Sequence, residues 1–94
     1  MNTTDLASFQ AFVYGRVQGV FFRAFVVRYA TELGITGYVR DVNNGSLEVQ
    51  AEGDKKQLEK LIAYLEEGPP AATVARLVTD WSEYTGNYAG FSIR

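Results

Sequence analysis

Apolar and polar positions along the chain follow two rhythms, one of period two and one near three and a half, and their order lays out the elements. Residues 9–14, Phe-Gln-Ala-Phe-Val-Tyr, are rich in strand-favouring types and read as a buried first strand ending at Gly15. The period then changes. Phe22, Phe25, Val26, Tyr29, Ala30 and Leu33 recur at three- and four-residue spacing and predict the buried stripe of a helix, with Gly34 where a left-handed C-terminal cap belongs. Residues 36–42 and 46–52 return to alternation. In the second of these strands Leu47, Val49 and Ala51 share one face and Glu48, Gln50 and Glu52 the other, which predicts one buried side and one wet side. Asn43-Asn44-Gly45 between them suits a tight hairpin turn with two positive φ angles. Asp54 is placed to cap a second helix, with Gln57 in the capping-box position and Leu58, Leu61, Ile62 and Leu65 as its apolar stripe. Gly68-Pro69-Pro70 stops that helix, and residues 73–81 and 88–94 supply the last strands.

This order, β-α-β-β-α-β with a short strand after it, predicts an α+β fold: a ferredoxin-like, antiparallel-rich sheet with both helices on one face. Topology then fixes where residue 41 arrives. If the first strand climbs, its loop lies at the top, the helix descends, and the second strand climbs again to end at the top beside the loop. Alternation puts Asp41 on the face of Gly37 and Val39, the helix-covered one.

The loop at that end carries the chemistry. Helices favour Asp or Glu in their first turn, where backbone N–H groups are unpaired and the dipole is positive. Here the helix starts with Arg23, and no acidic residue occurs from Leu6 through Thr31, a stretch that contains Arg16, Arg23 and Arg28. Gly15 and Gly19 bound a loop able to turn its amides inward into a nest of the kind that holds phosphate at a helix N-terminus. The candidate anion-binding set is therefore Gly15, Arg16, Val17, Gln18, Gly19, Val20 and Phe21, with Arg23 free to reach back over the loop and Asp41 arriving beside it. Gln18 is expected to tolerate substitution, and Tyr14, Phe21, Phe22 and Phe25 are read as core and loop support. Asn43 and Asn44 are read as turn residues.

Composition narrows what such a site can do. The chain has 94 residues and a formal net charge of −2, which fits one domain over 1–94, with residues 1–6 expected to be disordered. With no histidine and no cysteine, imidazole bases, thiol nucleophiles and His- or Cys-ligated metals are excluded. The carboxylates are scattered, so no metal is expected. A pI near 5.0 argues against a nucleic-acid backbone partner. Tyr38 could lie on an exposed sheet face like that of RNA-recognition modules, but the aromatic and basic RNA motifs are missing. No apolar run has the length of a membrane span, and a cytoplasmic monomer is expected.

The run Gly15-Arg-Val-Gln-Gly19-Val-Phe-Phe-Arg23, the later Gly37-Tyr-Val-Arg-Asp-Val-Asn-Asn-Gly45-Ser-Leu-Glu-Val49 and the terminal Tyr88-Ala-Gly-Phe91-Ser-Ile93-Arg94 together resemble the signature segments of the acylphosphatase family. That resemblance implies hydrolysis of small acyl phosphates with no cofactor and no covalent intermediate, and the glycines, helix start and acid-free arginines of the loop predict inorganic phosphate or sulfate as competing anions. It implies that the loop amides and Arg23 hold the phosphate and that residue 41 orients the attacking water. The family has asparagine where this chain has Asp41. An amide accepts and donates hydrogen bonds, whereas an ionised carboxylate only accepts and repels an anionic substrate. Asp41 therefore points either to a weakened hydrolase or to a module that binds phosphate or an acyl phosphate without turnover. Pairing with a nearby arginine would also account for it, and Arg40 as well as Arg23 could offset its charge.

Overall fold

The computed structural model describes residues 5–94, with elements in the order β1 (Leu6–Arg16), α1 (Phe22–Glu32), β2 (Thr36–Asp41), β3 (Leu47–Asp54), α2 (Lys55–Glu67), β4 (Thr73–Ser82) and β5 (Phe91–Ile93). The strands form one sheet in the order β4-β1-β3-β2-β5, antiparallel throughout except for the parallel β2–β5 pair. This is the expected ferredoxin-like α+β arrangement. β1 and β2 both run antiparallel to β3, which lies between them, so their C-terminal ends meet at one end of the sheet.

Alternation decides which face is buried. Phe9, Ala11 and Val13 of β1, Val39 of β2 and Leu47, Val49 and Ala51 of β3 are fully enclosed, with Ala11 and Val39 both opposite Val49. They pack against Phe22, Val26 and Ala30 of α1 and Leu58, Leu61 and Leu65 of α2, the two predicted stripes. Burying each large apolar side chain contributes about 1.5–3 kcal/mol, so this single layer holds the helices on one side of the sheet. Among the described residues no helix is long and apolar enough to cross a membrane.

Several local expectations need correction. Of the run expected to be disordered, residues 1–4 lie outside the described residues, but Leu6 already belongs to β1 and the Asp5 carbonyl accepts from the Lys55 amide at 2.9 Å. The capping box at α2 is half formed. Asp54 accepts from the Lys56 amide at 2.9 Å, yet Gln57 does not reach back, and its buried Oε1 has no partner among the described residues. The β2–β3 turn has one positive φ, at Gly45 (92°), where two were expected. The Gly45 amide donates to the Val42 carbonyl at 3.0 Å and Val42 donates to Ser46 at 2.9 Å, which is a type I turn closed by a left-handed glycine. Asn44 fits that turn because its Oδ1 accepts from the Ser46 amide and hydroxyl at 3.0 and 2.6 Å.

The largest departure concerns the face of β3 expected to be wet. Glu48 is 4% exposed and Glu52 1%. Each carboxylate is enclosed by partners from distant parts of the chain. Glu48 accepts from Gln10 at 2.7 Å, from the Tyr38 hydroxyl at 3.2 Å and from the Arg40 guanidinium. Glu52 accepts from the Thr85 hydroxyl and amide at 2.6 and 3.0 Å and from the Gly86 amide at 2.9 Å, so the segment between β4 and β5 is tied across the open face. Burial pushes the Glu52 pKa up, but the Thr85 and Gly86 donors outweigh it and hold the group below the usual glutamate range. A depressed folded-state pKa contributes stability above the unfolded pKa, about 4.3, and that contribution is lost as pH falls through the lower folded value. Glu52→Gln is expected to cost about 1.5–3 kcal/mol at pH 7 and to flatten the loss of stability below about pH 4, read from urea midpoints across pH.

Candidate active site

The site is assembled where β1 gives way to α1. The β1–β4 register slips between Tyr14 and Gly15, and Gly15 (φ 131°) lies so close to β4 that a Cβ would sit 2.2 Å from the Thr73 carbonyl oxygen. Gly15 and Arg16 therefore belong to the last rungs of the sheet, opposite Val74 and Thr73, and they do not line the pocket described below. Beyond them Val17 and Val20, 1% and 7% exposed, anchor the loop in the core. Gln18 was expected to be replaceable. Its Nε2 instead donates to the carbonyls of Val42 and Ser46 at 2.8 and 2.9 Å, stitching the loop to the β2–β3 turn.

Phe21 occupies the N-cap of α1 with φ 62° and ψ 21°, and it is the one non-glycine residue with positive φ among the described residues. That conformation costs a residue with a Cβ about 1–2 kcal/mol. Its side chain is 84% exposed, which corrects its reading as core or loop support; Phe22 beside it is 1% exposed and is core. The first turn of α1 contains no acidic residue, and no side chain caps it. The first helical bond runs from the Phe25 amide to the Phe21 carbonyl at 3.1 Å. From Val17 to Ala24, no backbone N–H donates to a protein acceptor among the described residues. A run of unpaired amides at the positive end of a helix is an anion receptor by its own electrostatics.

Arg23 lies in that first turn, off the core stripe. With Val17, Gly19, Phe21, Phe22, Ala24 and Ile93 of β5 it lines a pocket of about 240 Å³. The topological argument for Asp41 holds. It ends β2 opposite Leu47 on the helix face, and its Oδ1 lies 3.7 Å from Nε of Arg23. The two side chains are 38% and 44% exposed, so the pair is worth at most about 1 kcal/mol and opens readily for a better ligand. Two other arginines are engaged elsewhere. Arg40 is held by Glu48 on the opposite face and is not placed to offset Asp41, while Arg28 pairs with Glu32 one turn along α1 at 3.4 Å. Of the three arginines in the acid-free stretch, Arg23 alone lines the pocket. Ile93 was not anticipated as a site residue; only the parallel pairing of β5 with β2, Val39 opposite Ile93, brings it there.

Topology and pocket together define a small ferredoxin-like α+β protein whose unpaired amides and single guanidinium suit an oxyanion. The acylphosphatase family model matches residues 9–93, and the chain belongs to the acylphosphatase family. It is 43% identical over 81 residues to an acylphosphatase of Pelotomaculum thermopropionicum, a match covering 86% of this chain and 88% of the relative. Among solved structures it is similar to the acylphosphatase of Bacillus subtilis, with a TM-score of 0.90 and 31% identity over 94% of this chain and 98% of that one. The acylphosphatase of Coxiella burnetii matches over 100% of both chains with a TM-score of 0.85 and 35% identity.

Proposed function

We propose that this chain hydrolyses the carboxylic-phosphoric anhydride of small acyl phosphates, giving carboxylate and phosphate, without cofactor or covalent intermediate. The observation that carries the reading is the run of acceptor-free amides from Val17 to Ala24 converging with Arg23 at the start of α1, in a member of the acylphosphatase family. The loop amides, Gly19 and Phe21 among them, and the forked guanidinium of Arg23 bind the phosphoryl oxygens. Gly15 and Arg16 seat the loop on the sheet, and Val20 and Gln18 hold its shape. A water approaches phosphorus from the side of residue 41, and the carboxylate leaves. An acyl phosphate has a good leaving group, so neutralising the equatorial oxygens and positioning the water supply most of the acceleration. Inorganic phosphate and sulfate compete for the same amides. The reading includes a single domain working as a cytoplasmic monomer.

Asp41 accepts a hydrogen bond from the attacking water but opposes the substrate's charge. At about 4 Å and an effective dielectric near 20, two like unit charges repel by about 4 kcal/mol, of which solvent at this part-exposed site screens a share. Asp41→Asn is therefore expected to raise kcat/KM for acetyl phosphate at pH 7 at least about tenfold, equivalent to about 1.4 kcal/mol of barrier. Side-by-side assays of the chain and this variant test the reading. A fast chain slowed by Asp41→Asn would identify Asp41 as a water-orienting base and overturn the repulsion argument. Phosphate binding with no turnover in either form would leave a binding module.

A further inference from the structure

We infer that Asp41 makes the site selective for a phosphoryl group that still carries a proton, so that an oxyanion with a P–OH is bound in preference to one of the same shape with no proton to give. The inference rests on the acyl phosphate reading of the same site and adds the protonation state in which the substrate is taken. With one exception, the polar groups that converge there are donors. The acceptor-free amides from Val17 to Ala24 and the guanidinium of Arg23 can only donate. Asp41, ionised, can only accept. Its Oδ1 lies 3.7 Å from Nε of Arg23, an ion pair longer than a hydrogen bond. Among the described residues no donor makes a hydrogen bond to its carboxylate, which keeps its lone pairs for a ligand seated on Arg23.

The surroundings leave this carboxylate to act on the ligand. Arg23 of α1 is the one cation within 4.0 Å of it among the described residues. On β2 itself Arg40 is held by Glu48 on the opposite face, on β3 Leu47 stands opposite Asp41, and beyond β5 the Arg94 guanidinium lies over the rings of Tyr38 and Tyr88. The chain has no histidine. A fully ionised oxyanion on Arg23 therefore meets attraction from the guanidinium and amides and repulsion from Asp41. A protonated one turns the repulsive contact into a charge-assisted O–H···O bond. A site that reads a ligand hydroxyl through its own acceptor rejects the analogue lacking that hydroxyl much more strongly than a site that reads shape alone. Asparagine at position 41 makes no such distinction, because its amide presents oxygen to a P–OH or nitrogen to a bare oxygen.

The test uses methylphosphonate and methanesulfonate, neither of which is hydrolysed. In mildly acidic buffer both are singly charged and nearly the same shape, and only the phosphonate carries a proton. By calorimetry, methylphosphonate is expected to bind the unaltered chain at least about tenfold more tightly than methanesulfonate, as one charge-assisted hydrogen bond supplies. Asp41→Asn, close to isosteric, is expected to bring that ratio within about twofold of one, chiefly by tightening methanesulfonate. Equal affinities in the unaltered chain overturn the inference. A ratio that survives in Asp41→Asn overturns it too, since the discrimination then comes from the loop and not from the carboxylate. Failure of the hydrolase reading looks different: acetyl phosphate is not consumed, yet the ratio and its dependence on residue 41 remain. When both hold, the advantage of Asp41→Asn in kcat/KM shrinks as pH falls through the last ionisation of the substrate, about pH 6 for a phosphate monoester, because the substrate then brings the proton that the carboxylate accepts.

Discussion

Arg23→Ala is expected to abolish phosphate inhibition and to lower kcat/KM for acyl phosphates at least about a thousandfold while leaving the protein folded. Of the arginines in the stretch from Leu6 to Thr31, Arg23 alone lines the pocket, so no other guanidinium there can take over. Loss of a charge-stabilising arginine in phosphoryl transfer typically costs a thousandfold or more, because the phosphoryl oxygens then rely on amides alone. Stability is spared for two reasons. Arg23 sits outside the buried stripe of α1, and a cation at a helix N-terminus opposes the dipole, so its removal leaves Asp41 facing a positive helix end. Thermal unfolding of the variant should therefore match that of the parent within a few degrees. Arg23→Lys is also expected to be poor, since an ammonium keeps the charge and loses the planar fork. Unchanged phosphate affinity in a folded Arg23→Ala protein would sink the proposed site.

Gly15→Ala is expected to lower stability severely. A Cβ at Gly15 would lie 2.2 Å from the Thr73 carbonyl oxygen and 2.7 Å from the Ala75 amide, both backbone atoms of β4 that no side-chain rotation can move. Backbone strain and overpacking each cost about 1–3 kcal/mol, so the loss is expected to be about 3 kcal/mol or more in urea unfolding. Gly19 provides the control. Its φ is also positive, at 69°, but nothing lies within 4 Å of its Cβ position, so Gly19→Ala carries only the left-handed penalty of about 1–2 kcal/mol. If the two substitutions cost the same, the close approach of β4 is not what requires glycine at position 15.

The contrast between these glycines marks how far the sequence reaches. Local periodicity was enough for both helix stripes and for the core face of β2 and β3, since each is a property of residues two, three or four positions apart. A rule of handedness and alternation then carried Asp41 to Arg23 without any contact being visible in the sequence. What stayed hidden depends on segments that meet only in the folded chain. Glu48 and Glu52 carry a surface pattern, and nothing near them in sequence announces Gln10, Thr85 or Gly86 as donors. The engagement of Arg40 follows from that same buried carboxylate. Ile93 reaches the pocket through a parallel pairing with β2, a strand far away in sequence, and Gln18 finds its acceptors across the β2–β3 turn. The one available hint at Phe21 was an aromatic residue placed where a cap should be.

The stitch made by Gln18 bears on the entropy of binding. A loop of glycines and small apolar residues, left to itself, would sample many conformations, and an arriving anion would have to freeze it into one. Two hydrogen bonds from a single side chain to the Val42 and Ser46 carbonyls, together with two buried valines, remove that freedom when the protein folds. The ordering is settled before any ligand appears, so an incoming phosphoryl group would surrender mainly its own translation and rotation.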